Sequence, residues 1–445
     1  MATIAGIAAP GAFDRVSEAF RCKATDQDLT IVERHGVTLG VHVNRRQVGA
    51  INLLLERGLA EDWRCDGQWA RAYTSVEHGL VLSRDALGVA PLYWGKTSSG
   101  EICFASDVKG LMRLTTQVRE LPPGGTLCGG SVQMQSFHVE EEYDLGVEEL
   151  ILKLRALLEE AAENMVGDGD VAAWLSGGVD SSAWAALVCR LVGPIHTFAA
   201  GLEGAPDLEY ARLAAVHMGA KHHEVKVTIS DILHILPQVV EHLETFDSLL
   251  IRSSVMNFLV ARAAAQYAPA VFSGEGGDEL FAGYSYLKDV PSENLQAELL
   301  DLIGRLHNTA LQRVDRCTRA FGTTPLIGFL CPHVVDCALR IPASYKIYKG
   351  VEKWVLREAL KGLLPEPVLH RPKAKFWEGA GVEDLLSDYA EEQISDGDFQ
   401  SCRQLSNGWL LNSKEELWYY RLFCEHFGEL DVLDWMGRTK RVVEI

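Results

Sequence analysis

Two patterns of apolar and polar residues divide the chain near residues 139–147. Before this boundary, short apolar runs are broken by glycine and aspartate, and they predict strands at residues 36–43, 72–75, 79–83, 101–106 and 129–134. After it, apolar side chains recur at helical spacing, at Leu150, Leu154, Leu157, Leu158 and Ala161. The sequence therefore predicts an α+β or mostly β domain at residues 1–140 and a second domain of different architecture at residues 147–445.

The second domain alternates short apolar strands with helices. Strands are predicted at residues 171–175, 195–198, 224–228 and 270–272, and helices are predicted to begin near Ser181, Leu208 and Asp231. Because repeated strand–helix–strand crossovers form parallel sheets, the predicted fold class is α/β with a doubly wound parallel sheet. From about residue 293 the chain is predicted to be mainly helical, with amphipathic helices at 354–360 and 415–427.

Composition and charge narrow the function classes. Of the 445 residues, 42 are Lys or Arg and 61 are Asp or Glu, so the net charge is −19 and nucleic acid is not expected as a partner. The 10 cysteines include no Cys-x-x-Cys pair, which favours reduced thiols in a cytoplasmic protein. No apolar run reaches the ~18 residues of a membrane span, so no membrane association is expected. The composition does not decide between a monomer and a homodimer.

A glycine-rich loop follows the first strand of the second domain. Its sequence is Leu175-Ser-Gly-Gly-Val-Asp-Ser-Ser182, between an apolar strand and the start of a helix. Two glycines allow backbone N–H groups to turn inward, and the helix N-terminus adds positive potential, so we predict a phosphate-binding loop. It is not a Walker A loop, because the Lys of Gly-x-x-x-x-Gly-Lys-Ser is absent and Asp180 stands in the loop. A carboxylate beside phosphates indicates a Mg²⁺ ion that bridges them.

Two motifs resemble a known enzyme family. Ser176-Gly-Gly-Val-Asp-Ser181 resembles the pyrophosphate loop of ATP pyrophosphatases, and Ser273-Gly-Glu-Gly-Gly-Asp-Glu-Leu-Phe-Ala-Gly-Tyr284 resembles the signature of asparagine synthetases. The likeness continues in order over most of residues 150–380, through Lys353-x-x-x-Arg-Glu and His370-Arg-Pro-Lys373. The resemblance implies an adenine nucleotide α-hydrolase-like fold, with ATP and Mg²⁺ as cofactors.

The resemblance also implies roles for individual residues. In this family a substrate carboxylate attacks the α-phosphate of ATP, which gives an acyl-adenylate and pyrophosphate, and an amine then displaces AMP to form an amide. Asp180 and Asp278 would bind Mg²⁺, the Lys373 ammonium would stabilise the oxyanion, and Glu275 would accept a proton from the amine. The residues expected around ATP are Leu175, Ser176, Gly177, Gly178, Asp180, Ser181, Ser182, Phe198, Ala200, Ser273 and Gly274.

The first domain resembles the Ntn-type glutaminase domain of the same family, through residues 84–95, 104–110 and 122–124. That domain uses an N-terminal cysteine to attack glutamine, whereas position 2 here is Ala. The family's Asn-Gly-Glu-Ile-Tyr-Asn segment, which binds glutamine, is missing between His42 and Ile51, and Cys22 and Cys65 do not replace the nucleophile. We therefore expect a degenerate domain and no use of glutamine.

The loss of glutamine hydrolysis favours an amine that the substrate itself carries. We expect an ATP-dependent ligase that closes a lactam in a small amino-carboxylate, as β-lactam synthetases do, and Glu378-Gly-Ala-Gly381 resembles the corresponding segment of those enzymes. Glu275 instead matches asparagine synthetases, so ammonia-dependent asparagine synthesis stays open, as does a lasso-type macrolactam synthetase that acts on a peptide. Residues 322–329 lack the Glu and Arg of the family pattern, so the acceptor pocket is expected to be new. The charge of −19 disfavours a tRNA-modifying enzyme.

Overall fold

The computed structural model describes residues 3–20, 29–42, 67–135, 139–167, 170–373, 379–380 and 384–440. The chain forms two compact units, the first from Met1–His138 with Glu429–Gly437 and the second from Val139–Gly428 with Arg438–Ile445. The expected domain at 147–445 is therefore interrupted near its end. The physical reason is that the buried Trp435 ring packs edge-on against Tyr93, with ring centroids 6.2 Å apart.

The first unit contains two antiparallel sheets, of six and four strands among its described residues. Its strands are β1 (Thr3–Ile7), β2 (Leu29–Arg34), β3 (Val37–His42), β4 (Ala70–Ser75), β5 (Gly79–Arg84), β6 (Tyr93–Lys96), β7 (Ile102–Ala105), β8 (Arg119–Glu120), β9 (Gly125–Cys128) and β10 (Ser131–Met134), and its helices are α1 (Phe13–Glu18) and α2 (Val108–Leu111). The strand orders are β2-β3-β1-β7-β6-β8 and β10-β9-β5-β4. Apolar side chains of both sheets, such as Leu39, Leu82 and Phe104, share one core. The α+β prediction is confirmed.

The second unit is built on a parallel sheet. Its strands are β11 (Val171–Trp174), β12 (His196–Leu202), β13 (Lys221–Val227), β14 (Ala270–Phe272) and β15 (Thr324–Leu326), in the order β13-β12-β11-β14-β15. Each neighbouring pair is parallel. All four residues of β11 are buried, as expected for a central strand that is covered on both faces. The predicted α/β class with a doubly wound parallel sheet is confirmed.

Helices surround this sheet and form the rest of the second unit. They are α3 (Val147–Val166), α4 (Val179–Val192), α5 (Pro206–Met218), α6 (Ile229–Leu243), α7 (Ser248–Ala264), α8 (Gly277–Phe281), α9 (Ser292–Arg305), α10 (Ala310–Arg319), α11 (Pro332–Arg340), α12 (Ala343–Lys346), α13 (Trp354–Ala359), α14 (Glu366–Leu369), α15 (Leu385–Gln393), α16 (Asp396–Cys402) and α17 (Lys414–Phe427). Helix α4 begins at Val179 rather than Ser181, which puts Asp180 in its first turn. Within the described ranges, no helix has both the length and the apolarity needed to cross a bilayer.

Two elements of the second unit differ from the sequence prediction. Helix α7 is buried on nearly all sides. A helix in such surroundings needs no continuous polar face, so its sequence lacks the amphipathic period that would predict it. Strand β15 is only Thr-Pro-Leu, and a proline argues against a strand except at a sheet edge. The structure places β15 at the edge of the sheet, beside β14.

The strand order fixes where a ligand can bind. Strand β11 lies between β12 and β14, so the order of the chain reverses at β11. In open parallel sheets, ligands bind outside the carboxyl ends of the strands at this point of reversal. The loop that begins at Leu175 follows β11, and the loop that begins at Ser273 follows β14. The two sequence motifs therefore meet at one edge of the sheet.

Candidate active site

The loop after β11 has a backbone shape that depends on Gly177. Its φ is +72°, and a Cβ there would lie 2.4 Å from backbone atoms of Tyr210 and Ala211 in α5, so any other residue would be strained and would clash. The Ser176 N–H donates to Ser181 Oγ at 3.1 Å, which closes the loop onto the first turn of α4. A tight loop at a helix N-terminus is suited to bind phosphate oxygens through backbone N–H groups.

The loop after β14 packs directly on the first loop. A Cβ on Gly274 would lie 2.7 Å from the Ser181 backbone nitrogen, and a Cβ on Gly277 would lie 2.5 Å from Asp180 Oδ1. Both glycines therefore permit a close approach of the two loops. This approach brings Asp180 and Asp278, which the sequence places at the ends of different strands, into one group of charged side chains.

Four alternating charges form what we call the charged row: Asp180, Lys353, Asp278 and Lys373. Lys353 Nζ lies 2.5 Å from Asp180 Oδ2 and 2.5 Å from Asp278 Oδ1. Lys373 Nζ donates to Asp278 Oδ2 at 2.6 Å. The Lys353 side chain is 1% exposed, whereas that of Lys373 is 31% exposed. The row thus runs from a buried ammonium to one that solvent and ligands can reach.

Burial and charge act in opposite directions on the two carboxyl groups. Burial raises the pKa of Asp180, and the nearby Lys353 ammonium opposes it. Burial also acts to raise the pKa of Asp278, but Lys353 and Lys373 together outweigh it and hold the pKa below its ordinary value. The pKa of Lys373 is raised because the Asp278 and Asp180 carboxylates outweigh its desolvation. Asp278 and Lys373 are therefore charged at neutral pH.

The charged row has the donor set for a Mg²⁺ ion that is bound together with a phosphate substrate. Asp180 Oδ1 is buried, and no described group donates a hydrogen bond to it, so this oxygen is available as a ligand. No three His, Cys, Asp or Glu side chains of the described residues cluster as a complete metal site. Proteins commonly hold Mg²⁺ with one or two carboxylates while phosphates and water supply the rest. Asp180 fits that arrangement through its free Oδ1, and Asp278 lies beside it with its two oxygens bound by Lys353 and Lys373.

Glu275 forms an ion pair that the sequence does not indicate. Arg313 Nη2, from α10, donates to Glu275 Oε1 at 2.6 Å, and both side chains are mostly buried, at 13% and 19% exposed. The ion pair fixes the direction in which the Glu275 carboxylate points. The role of Glu275 as a base stays a prediction, with Arg313 as the group that orients it.

Three of the predicted ATP residues lie in a strand and a helix beside the loops. The Phe198 ring stacks on His223 with centroids 4.8 Å apart, and the Phe198 carbonyl accepts the Leu175 N–H at 2.8 Å. The Phe198 backbone thus lies beside the first residue of the loop, while its ring packs on the neighbouring strand. Ala200 lies nearer the carboxyl end of β12, where its backbone pairs with Val225. Ser182 is fully buried in α4.

The remaining predicted residues lie together at the sheet edge. They are Leu175, Ser176, Gly177, Gly178, Asp180, Ser181, Ser273, Gly274, Glu275, Asp278 and Lys373. Lys353 and Arg371 belong to the family likeness but have no predicted role, and Arg313 lies outside the quoted motifs. Glu378 and Gly381 of the segment that resembles β-lactam synthetases lie outside the described residues.

The sequence is similar to those of known proteins. Residues 153–301 and 290–435 match the asparagine synthase family, and residues 50–124 match the glutamine amidotransferase domain. The chain is 31% identical over 380 residues to asparagine synthetase B (glutamine-hydrolyzing) of Escherichia coli (strain K12), which covers 80% of this chain and 69% of that protein. It is 32% identical over 379 residues to asparagine synthetase (glutamine-hydrolyzing) 2 of Lotus japonicus, which covers 79% of this chain and 64% of that protein.

The chain thus spans about two thirds of the length of these relatives. Among solved structures, it is similar to NMN synthetase from Francisella tularensis, at 15% identity and a TM-score of 0.30, over 65% of this chain and 99% of that one. A likeness at that level indicates nothing about function.

Proposed function

Because the chain belongs to the asparagine synthase family, whose members are ATP-dependent amide ligases, we propose that it activates a substrate carboxylate with ATP and joins it to an amine. The observation that carries this proposal is the charged row beside two glycine loops at the reversal point of the sheet. The glycine loops offer N–H groups to phosphates. The row offers carboxylates for a metal ion and ammonium groups for negative charge.

On the phosphate side, the loop after β11 and the N-terminus of α4 would bind the pyrophosphate part of ATP. The Ser176 and Ser181 hydroxyls hydrogen-bond each other in this loop, with 3.0 Å between the oxygens, and would lie beside the bound phosphates. Mg²⁺, when bound by Asp180 and Asp278, would supply positive charge to the leaving pyrophosphate. The buried Lys353 ammonium holds the two carboxylates at one point, so that they face the phosphates together.

On the carboxylate side, Lys373 is the exposed end of the charged row. Its ammonium would stabilise the negative oxygen that develops when the amine adds to the acyl-adenylate, an effect worth about 3 kcal/mol if it equals one oxyanion donor. Glu275, oriented by its hydrogen bond from Arg313, would take the proton from the attacking amine. Both roles belong to the second half-reaction, in which the amine attacks the acyl-adenylate and displaces AMP.

We propose that the amine is carried by the substrate itself, so that the product is a lactam. The missing glutamine-binding segment between His42 and Ile51 supports an amine that does not come from glutamine. In the first unit, Cys103 is fully buried, and burial raises the pKa of its thiol to about 12, so it is not a nucleophile at neutral pH. The Glu and Arg of the family pattern correspond to the uncharged Thr324 and Leu326, which supports a new acceptor pocket in this chain.

A second candidate is ammonia-dependent asparagine synthesis. Glu275 favours it, because a Glu stands at this position of the asparagine synthetase signature. The relatives named above, which are asparagine synthetases, favour it as well. The two candidates share adenylation and differ in the source of nitrogen.

ATP–pyrophosphate exchange with a panel of amino-dicarboxylates tests the common step. Product mass and ¹⁵N-labelled ammonia then separate the candidates: a lactam is the substrate less one water and contains no label, whereas an asparagine-type amide contains ¹⁵N. Incubation of the protein with glutamine, followed by chromatography of glutamate, tests whether glutamine donates the nitrogen. Glutamate released in step with product would contradict the proposed loss of glutamine use, and absence of exchange with any carboxylate would refute adenylation.

A further inference from the structure

Arg371 is a buried residue at the edge of the active site. It is 8% exposed, and only Pro372 separates it from Lys373. Its guanidinium Nη1 donates to the Ser176 carbonyl at 3.0 Å, and Nη2 donates to Asp207 Oδ1 at 2.5 Å. A single side chain therefore contacts the phosphate loop and the first turn of α5.

The first turn of α5 is shaped to hold this guanidinium. Asp207 is buried beside it, and the Tyr210 ring lies under it with 4.2 Å from Arg371 Cζ to the ring centroid. Tyr210 also bounds the space beside Gly177, where a Cβ would lie 2.4 Å from Tyr210 atoms. The guanidinium and the phosphate loop thus rest against the same helical turn.

The backbone of Arg371 is fixed as well. Its carbonyl accepts from Arg357 Nη1 at 3.2 Å, and Arg357 is itself buried and also donates to the Leu369 carbonyl at 2.5 Å. The proline that follows restricts the backbone on both sides of the peptide. The point from which Lys373 extends toward Asp278 is therefore held by two arginines.

The bond to Ser176 has a consequence for the phosphate loop. In a planar trans peptide the carbonyl and the N–H of the next residue point in opposite directions. By holding the Ser176 carbonyl on one side, Arg371 fixes the Gly177 N–H on the other side. Gly177 has little backbone preference of its own, so a charged donor on the neighbouring carbonyl is what selects one orientation.

We infer that Arg371 is a positioning residue for both half-reactions: it orients the Gly177 N–H toward phosphate and fixes the backbone that carries Lys373. The inference rests on the proposed function, because the loop is taken to bind ATP. Lysine cannot replace arginine here, since a single ammonium on a flexible stem does not span the carbonyl and the carboxylate as a planar guanidinium does.

Calorimetric titration with ATP and Mg²⁺ tests this inference on the full-length protein. For Arg371→Lys we expect a dissociation constant on the order of 10- to 100-fold higher, the cost of a displaced binding group. A merely structural defect would instead lower the binding stoichiometry and leave the dissociation constant unchanged. Arg84→Lys is the matched control, because Arg84 is a buried arginine of the first unit that also donates to carbonyls and a carboxylate, and its ATP affinity should equal the wild type.

Asp207→Asn keeps the shape of the side chain that accepts from Arg371 and removes its charge. It should therefore also raise the dissociation constant for ATP, by a smaller factor than Arg371→Lys. It also carries the test if Arg371→Lys does not fold. The double variant should bind no more weakly than Arg371→Lys, because the two residues act as one unit. Wild-type affinity in either folded single variant would overturn the inference alone, whereas a wild-type protein that does not bind ATP would overturn the proposed function together with it.

Discussion

Removal of the Lys353 ammonium tests how much it stabilises the two carboxylates of the charged row. Lys353 is 1% exposed and contacts one oxygen of Asp180 and one of Asp278, at 2.5 Å each. In Lys353→Met the stem is replaced by an apolar chain of similar length, and the positive charge is lost. Asp278 keeps its bond to Lys373, but Asp180 is left as a buried carboxylate without a charged partner.

The expected cost follows from the burial of these groups. Breaking a buried ion pair by removal of one partner destabilises proteins by about 3–5 kcal/mol, because the remaining charge stays desolvated. We therefore expect the free energy of unfolding of the second unit to fall by that amount in urea denaturation near neutral pH. Lys288→Met is the matched control. Its Nζ pairs with Glu352 at 2.7 Å, but the Lys288 side chain is 37% exposed, so its loss should cost no more than about 1 kcal/mol.

Mg²⁺ supplies a second readout of the same substitution. In Lys353→Met the two carboxylates face each other without the ammonium between them, so Mg²⁺ should bind more tightly and restore part of the lost stability. At a concentration 100 times its dissociation constant, a ligand of the folded state adds about 2.7 kcal/mol. Wild type should gain less from Mg²⁺ without ATP. Equal stability losses in Lys353→Met and Lys288→Met, with no added stabilisation by Mg²⁺, would refute the reasoning.

Three further predictions concern single substitutions. Asp180→Asn should reduce ATP–pyrophosphate exchange about a thousandfold, since a lost metal ligand costs several kcal/mol at the leaving group, and near-wild-type exchange would place the metal elsewhere. Lys373→Met should stall amide formation, and Glu275→Gln should slow the attack of the amine while ATP–pyrophosphate exchange persists. Rapid-quench measurement of the acyl-adenylate separates adenylate formation from amide formation. Equal loss of exchange and of amide formation in Glu275→Gln would assign that residue to the adenylation step. Burial, reinforced by the Asp278 carboxylate, raises the pKa of Glu279 from 4.5 to about 7, so the folded state holds a proton that the unfolded chain releases earlier. Stability should therefore fall as the pH rises from about 4.5 to about 7, and Glu279→Gln should flatten this fall in urea unfolding. An unchanged slope would contradict the raised pKa.

The sequence predicts well those parts of the site that depend on contiguous residues. The loop after β11 and the loop after β14 are each encoded by a short run with glycine at the position that needs it, such as Gly177 with its positive φ. The parallel sheet is predicted because its strands are short apolar runs between helices. A family likeness to a strand does not say which of its side chains faces a ligand, because residues on one strand alternate between faces.

The partners that connect distant segments are not predicted, because they depend on the way the chain folds back. Lys353 joins Asp180, Arg313 joins Glu275, and Arg371 joins Ser176, each across a long stretch of sequence. None of these arginines or lysines lies in a motif whose spacing defines its partner.

Glycines without a positive φ offer a signal for such partners. Gly283 is one of them, and a Cβ on it would lie 2.1 Å from Lys353 Cε and 2.0 Å from Asp278 Oδ1. Gly274 and Gly277 likewise leave space for the Asp180 segment rather than for a turn. A glycine that no turn requires therefore indicates that another side chain or loop approaches closely at that position. In this signature the space at Gly283 is filled by the ammonium stem that joins the two carboxylates, so the motif encodes a site for Lys353 although it does not contain that residue.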